Sequence, residues 1–232
     1  MPCSLCCWSW LALGRLGGWS LCTPSYLDDL CLAGDALAVA SAIDTLKARC
    51  ANIGLKLSTG LVNEAAEVLS KDKCEVILAG GAASTVDVSL FPSDFKVIRD
   101  GNFELLGAPI GSPEYCNSHT QARVTKALRV LRVLGEVPDP QVALQLLRRC
   151  AAFGKMVFSI RAVPASFHAE ALVAFDTHVR NCFEQFTCLH PDDEQWAQAT
   201  LPTDSGGLGL RSLVKHSRAA FLASRSRCFD LC

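Results

Sequence analysis

The stretch Ser25–Cys31, SYLDDLC, places two adjacent aspartates, Asp28 and Asp29, between apolar residues near the beginning of a 232-residue chain. Short apolar runs lie on both sides of the pair, at Leu21–Cys22 and at Leu30–Leu32. Two short apolar strands joined by polar residues are typical of a β-hairpin. The stretch therefore predicts a hairpin with both carboxylates at its tip, which is either a polar turn or part of a metal site.

An amphipathic helix is predicted after the hairpin. Asp35 is a suitable N-cap residue, and Gly54 is typical of a helix C-terminus. Between them, apolar residues recur at steps of three and four, which predicts one buried face. The residues of this face are Val39, Ile43, Leu46, Cys50 and Ile53.

Further strands are predicted before residue 112. Glu75–Ala79 is a short apolar run closed by glycines. Phe95–Arg99 and Phe103–Gly107 flank the sequence Asp100-Gly101-Asn102, and this turn signal predicts that the two segments pair as a hairpin.

Beyond Pro113 the apolar spacing indicates helices. The first helix ends at the break Gly135–Pro140, and a second is predicted over Val142–Phe158. A third is predicted over Ala169–Phe186 and a last one over about Arg211–Arg225. The apolar face of the first helix consists of Val124, Leu128, Leu131 and Leu134.

Composition excludes several classes of protein. Half of the residues are hydrophobic and 19% are charged, so the chain has enough apolar surface for a folded core. The 13 cysteines are scattered over a chain too long to need disulfide staples, and no second pair of ligands accompanies Cys3-x-x-Cys6. The sequence therefore supports neither a disulfide scaffold nor a zinc site.

Residues 1–24 form an apolar lead-in that is rich in cysteine and tryptophan. The apolar run Leu5–Leu13 has no basic residue before it, unlike a signal peptide, and Arg15 follows before the run is long enough to span a membrane. We therefore expect an intracellular protein, nuclear or cytoplasmic, with no membrane partner.

Charge is distributed unevenly, although the net charge is only −1. The segment Gln121–Arg161 contains eight basic and two acidic residues. Four of the basic residues recur at every third position of one predicted helix, opposite its apolar face. Such cations would contact phosphates without reading sequence, although an ordinary solvated helix face has the same pattern. The four are Arg123, Lys126, Arg129 and Arg132.

Four motifs, in order, resemble those of reverse transcriptases, particularly the enzymes of non-LTR retroelements. Tyr26-x-Asp28-Asp29 resembles motif C of the palm, and NIGLKLS (52–58) with KCEVIL (73–78) resembles the two ends of motif D. FELLGAPIG (103–111) resembles motif E, the hairpin that grips the primer end. LPTDSGGLGLRS (201–212) resembles a glycine-rich stretch beyond the thumb.

The resemblance implies an α+β fold. It implies a partial polymerase palm of short antiparallel β-hairpins plus one helix over residues 25–112. An all-α, thumb-like helical bundle would occupy residues 113–200, and a glycine-rich connector with a C-terminal helix would occupy residues 201–232.

The resemblance also implies roles in RNA-templated DNA synthesis. Asp28 and Asp29 would bind Mg²⁺ or Mn²⁺ for two-metal nucleotidyl transfer, and Lys73 would protonate the leaving pyrophosphate. Tyr26, Leu106 and Gly107 would position the primer. The basic helix that carries Arg123, Lys126, Arg129 and Arg132 would lie along the RNA/DNA template–primer.

One departure from the family pattern lies within motif D. Residues 59–70, TGLVNEAAEVLS, separate two halves that are close together in the family. Removing them joins GLKLS to KDKCEVIL, which has the family's spacing. We therefore interpret the segment as an insertion or as an unremoved piece of a gene model.

A second departure concerns the metal ligands. In the family, motif A contributes another aspartate before motif C, whereas residues 1–27 contain no Asp and no Glu. Motif B and the fingers are also missing. We therefore expect this chain to be catalytically incomplete alone, to bind metal poorly, and to have a palm edge that a partner chain would cover. The alternative is a non-enzymatic helical module that binds nucleic acid or protein.

Overall fold

A computed structural model describes most of the chain. The described residues are 21–23, 25–26, 29–55, 61–62, 68–70, 74–78 and 85–229. They form two compact units, unit 1 up to Phe103 and unit 2 from Glu104 onward. Short strands lie mainly in the first hundred residues and helices dominate the rest, so the predicted α+β class is confirmed.

The stretch around Asp29 lies in a β-hairpin, as the sequence predicts. β1 (Leu21–Cys22) pairs with β4 (Ala33–Gly34), and between them β2 (Ser25–Tyr26) pairs antiparallel with β3 (Asp29–Leu30). Tyr26 lies opposite Asp29, so the backbone of Asp29 begins the returning strand. Asp28 lies outside the described residues.

The helix after the hairpin is α1 (Ala36–Asn52), and its predicted ends are confirmed. The Asp35 carboxylate accepts a hydrogen bond from the Leu37 amide at 3.0 Å, and Gly54 follows the helix with a φ of +75°. Its apolar face is buried only in part, because Ile43 is 6% exposed whereas Ile53 is 72% exposed. Among the described residues of unit 1, one buried apolar cluster is formed by Ile43, Val76, Leu78, Phe91 and Phe95.

The predicted hairpin across Asp100–Asn102 is wrong. β8 (Lys96–Ile98) pairs instead with β7 (Glu75–Ile77), and the two strands are parallel rather than antiparallel. The turn itself forms, because the Asp100 carboxylate accepts hydrogen bonds from the Asn102 amide and side chain, both at 3.1 Å. A side chain that satisfies its own turn does not require the flanking strands to pair with each other.

β9 (Phe103–Leu105) pairs with β10 (Ala108–Ile110), and the connection between them is Leu106–Gly107. The resemblance to motif E implied a hairpin in this segment, although local turn chemistry did not, because leucine is not a turn residue. The segment resembling motif E is therefore a hairpin in itself.

Residues of the predicted insertion form a small strand pair. β5 (Leu61–Val62) pairs antiparallel with β6 (Val68–Ser70). Every sheet in the described ranges is a pair of strands, and β5 and β6 have no other strand partner there. A self-contained pair is compatible with an insertion, which stays a prediction. Lys73 lies outside the described residues.

Unit 2 is helical after β10. Its helices are α2 (Pro113–Gly135), α3 (Pro140–Leu146), α4 (Phe153–Ala162), α5 (Ala169–Thr187), α6 (Asp193–Ala199) and α7 (Leu213–Phe229). The predicted continuous helix over Val142–Phe158 is wrong, because a π-helical turn at Leu147–Ala151 separates α3 from α4. There the Ala152 amide donates to the Leu147 carbonyl five residues earlier, at 2.9 Å.

Helices α2 and α5 pack together in the core of unit 2. Val124 from α2 and Phe175 from α5 are at most 1% exposed. Hydrogen bonds cross between the helices at both ends of the pair. The Asn117 side chain accepts from the Ala171 amide at 3.3 Å, and the Cys182 thiol donates to the Leu131 carbonyl at 3.3 Å. The predicted apolar face of α2 is confirmed.

The start of α7 is capped by a side chain from α5. One carboxylate oxygen of Asp176 accepts from the Leu213 amide at 2.9 Å. The other accepts from the Ser212 hydroxyl at 2.6 Å and the Val214 amide at 3.2 Å. A carboxylate at this position accepts hydrogen bonds from amides that have no partner within the helix. Its negative charge also interacts favourably with the positive end of the helix dipole.

The connector before α7 requires glycine at a defined position. A Cβ atom added to Gly207 would lie 2.1 Å from the carbonyl oxygen of Leu201 and 2.7 Å from that of Gln198. Both are backbone atoms, so the connector would have to move to accommodate any side chain.

No helix among the described residues is long and apolar enough to cross a membrane.

We predict that Gly207→Ala destabilises the chain by about 2–3 kcal/mol, because its methyl group would overlap backbone atoms. Gly154→Ala is the matched control, since a Cβ there would lie 3.5 Å from its nearest neighbour, the Arg149 carbonyl. We expect the stability of the control to be unchanged or higher. Urea unfolding followed by circular dichroism measures both, and equal stabilities would contradict the prediction.

Candidate nucleic-acid interface

Helix α2 exposes a row of cations on the side away from its core face. Ser112 caps the helix by accepting the Tyr115 amide at 3.2 Å. Lys126, Arg129 and Arg132 are all exposed. A step of three residues advances about 4.5 Å along a helix axis, so the row extends over about 9 Å.

These three cations have no internal partner in the part of the chain that the structure describes. The ion pairs found there involve other basic residues, namely Lys96, His119, Arg180 and His190. Two exposed apolar side chains, Val130 at 44% and Val133 at 68%, also lie on α2. The row is thus available to an external anion.

Arg123 differs from the other three residues of the predicted set. One terminal nitrogen of its guanidinium donates to the Gly107 carbonyl at 3.0 Å, and the other donates to the Ser159 hydroxyl at 3.3 Å. The guanidinium also lies 5.2 Å from the centre of the Phe158 ring. Its donors are therefore directed at other parts of unit 2.

The turn that Arg123 contacts has an unusual backbone. Leu106 has a φ of +50° and Gly107 a φ of +79°. A type I′ hairpin turn requires a positive φ at both central residues, which asparagine and glycine favour. Leucine in this conformation costs on the order of 1–2 kcal/mol. Even so, Leu106 is 38% exposed and does not belong to the buried apolar cluster of unit 2.

A second basic stretch was not predicted from the sequence. The segment Arg211–Phe229 contains five basic residues and no acidic one, a charge count that would have revealed it. All five are exposed. Two large apolar residues of α7 are exposed as well, Leu222 at 63% and Phe229 at 73%. The five basic residues are Arg211, Lys215, Arg218, Arg225 and Arg227.

The structure describes the predicted metal ligands only in part. Asp28 lies outside the described residues, and only the backbones of Tyr26 and Asp29 are described. Among the described residues, no group of three or more His, Cys, Asp or Glu is placed to hold a metal ion. The predicted metal role of Asp28 and Asp29 stays a prediction.

A buried histidine supports α2 from the side of α5. His168 is fully buried, and its Nδ1 lies 3.1 Å from the Thr120 hydroxyl, which donates its proton to the Cys116 carbonyl at 2.9 Å. With the Thr120 proton directed at Cys116, a protonated Nδ1 would donate to Thr120. Nε2, the other ring nitrogen, is buried and has no hydrogen-bond partner among the described residues. Burial lowers the pKa of His168 from 6.5 to about 4.

No protein-family model, no curated protein and no solved structure matches this chain. The resemblance to reverse transcriptases therefore depends on the motifs quoted above, and the roles that it implies stay predictions.

We predict that acid destabilises the fold through His168. Between pH 6.5 and pH 4 the unfolded chain binds a proton that the folded chain excludes. The free energy of unfolding therefore decreases as the pH is lowered through this range. A shift from 6.5 to about 4 corresponds to a loss of about 3 kcal/mol. His168→Asn keeps a donor toward Thr120 but removes this titration, so its stability should depend less on pH.

Urea unfolding of both proteins at pH 7, 6, 5 and 4 measures the difference. His190→Asn is the control, because the His190 side chain is 81% exposed in the fold. Its pH profile should follow that of the unsubstituted chain. Parallel profiles for the unsubstituted chain and His168→Asn would contradict the assignment.

Proposed function

We propose that this chain is part of a reverse-transcriptase-like polymerase, and that α2 of its helical unit contacts the phosphate backbone of a template–primer. The observation that carries the proposal is the exposed row Lys126, Arg129 and Arg132, which has no ion-pair partner among the residues that the structure describes. The position of this row, between the segments that resemble motif E and the stretch beyond the thumb, supports it.

The chemistry of the row favours backbone contact over base readout. Three cations within about 9 Å of helix axis match the close spacing of phosphates along a strand. Their side chains are long and exposed, and contacts of this kind position a protein on nucleic acid without selecting a sequence. Binding is therefore expected to be weak, independent of sequence and steeply dependent on salt.

The catalytic part of the proposal depends on the hairpin β1–β4. Its strand pairing places the backbone of Asp29 at the first position after the connection, which supports descent from the motif C hairpin. The metal ion would stabilise charge during nucleotidyl transfer. Because residues 1–27 contain no Asp and no Glu, synthesis would need at least one further carboxylate that these residues do not supply.

A protein-interaction module is the second candidate, and one observation favours it. Leu222 and Phe229 on α7 are 63% and 73% exposed, and with Arg225 they line a shallow groove of about 380 Å³. Exposed apolar groups beside polar ones are typical of protein-binding surfaces. Concentration-dependent self-association that Leu222→Ser and Phe229→Ser abolish, without nucleic-acid binding, would favour this candidate.

We predict that neutralising single cations of α2 lowers the salt dependence of binding to duplex RNA/DNA. Three phosphate contacts correspond to a slope of about −2.7 in log K against log salt concentration, and each contact contributes about −0.9. Lys126→Gln, Arg129→Gln and Arg132→Gln should each reduce the slope by about that amount. Fluorescence anisotropy from 50 to 300 mM salt (about a sixfold range) measures it.

Arg49→Gln is the control for this series, because Arg49 is exposed on α1 in unit 1. Its removal changes the net charge equally and should leave the slope unaltered. Equal effects of all four substitutions would indicate general charge attraction, and affinity that ignores salt would contradict the proposed interface.

We predict that the purified chain alone does not extend a primed RNA template with Mg²⁺ or Mn²⁺. The reason is that Asp28 and Asp29 cannot enclose two ions without further carboxylates. Primer extension on a denaturing gel measures it, with the variants Asp28→Ala and Asp29→Ala as controls. Extension that disappears in both variants would show that the chain is an active polymerase.

A further inference from the structure

The Leu106–Gly107 turn is held in a conformation that its own sequence does not favour. Both residues have positive φ angles, +50° and +79°. Asparagine followed by glycine would adopt this turn readily, whereas leucine at the first position resists it. Some contact outside the turn must therefore keep the leucine in place.

Arg123 provides that contact. Its guanidinium donates to the carbonyl oxygen of Gly107 at 3.0 Å, and a Cβ added to Gly107 would lie only 3.3 Å from the same nitrogen. The guanidinium is held in turn by the hydroxyl of Ser159, which is 3% exposed, and by the ring of Phe158. One side chain thus joins the hairpin turn to α2 and α4.

We propose that Arg123 is a positioning residue, which holds the Leu106–Gly107 turn so that the Leu106 side chain is presented to solvent, and that it is not a phosphate contact. Its charge is directed inward, in contrast to the exposed charges of Lys126, Arg129 and Arg132. The statement about phosphate rests on the proposed function, whereas the statement about the turn does not.

The planar guanidinium suits this task in a way that an ammonium does not. It donates in two fixed directions and stacks on an aromatic face at the same time. A lysine side chain would retain the positive charge but would not hold two donors in the fixed directions that the guanidinium provides. The variant Arg123→Lys therefore separates the two roles, since a phosphate contact tolerates lysine and a bidentate clamp does not.

The first experiment measures amide hydrogen exchange of residues 103–110 in the full chain. We expect exchange in Arg123→Lys and Arg123→Gln to be at least about tenfold faster than in the unsubstituted protein, which is a change of about 1.4 kcal/mol in local opening. Thr125→Ala, an exposed substitution on the same helix, is the control and should leave the hairpin unchanged. Unaltered exchange in both Arg123 variants would overturn the proposal.

The second experiment tests whether the clamp acts on the strained turn. Leu106→Asn creates a turn that favours positive φ without help. In the double variant Leu106→Asn/Arg123→Lys, hairpin exchange should return to within about threefold of the unsubstituted protein. If Arg123 only packed locally, Arg123→Lys would accelerate hairpin exchange equally whether residue 106 is leucine or asparagine. An equal tenfold acceleration in both backgrounds would therefore overturn the proposal.

The third experiment measures the salt dependence of binding to duplex RNA/DNA. Arg123→Gln should leave the slope unchanged, whereas Arg129→Gln should reduce it by about 0.9. A reduction of about 0.9 in Arg123→Gln would make Arg123 a phosphate contact and overturn the proposal. If neither protein binds, the proposed function fails, and the two exchange experiments still decide the role of Arg123.

Discussion

The packing of α2 against α5 is the constraint on which the rest of unit 2 depends. Val124 and Phe175 are at most 1% exposed, and residues at both ends of the two helices are joined by hydrogen bonds. Because α2 commits one face to this contact, its charged residues must lie on the remaining surface. The same packing surrounds His168, which therefore stays neutral at physiological pH. The charge pattern of α2 is thus a consequence of how its core is built.

Patterns that act over one or two helical turns could be predicted from the sequence. The cap at Asp35, the buried face of α2 and the limits of α5 follow from spacing and from local capping chemistry. The hairpin around Asp29 was predicted in the same way. Features that depend on distant residues could not be predicted. Asp176 caps a helix that begins 37 residues later in the chain, and no local signal marks it.

In the candidate interface, too, local patterns predicted some features, whereas contacts with distant residues determined others. Lys126, Arg129 and Arg132 could be predicted as exposed because long charged side chains opposite an apolar face remain in water. Arg123 continues their spacing, yet it lies beside a turn and a ring that the sequence does not bring near it. The resemblance to motif E implied a hairpin there, but the positive φ of Leu106 could not be predicted, because leucine in this conformation has no sequence signature. The parallel pairing of β7 and β8 was missed because turn chemistry indicated another partner.

The capping of α7 by Asp176 also holds the polypeptide that follows the turn between α6 and α7. The exposed turn Thr203–Ser205 lies between α6 and α7, and backbone bonds span it, from the Leu208 amide to Ala199 at 3.0 Å and from the Gly209 amide to Leu201 at 2.8 Å. A chain cut at this turn would still have both ends held, with Leu213 fully buried beyond them. The final helix is therefore joined to the rest of unit 2 by contacts that do not run through this turn.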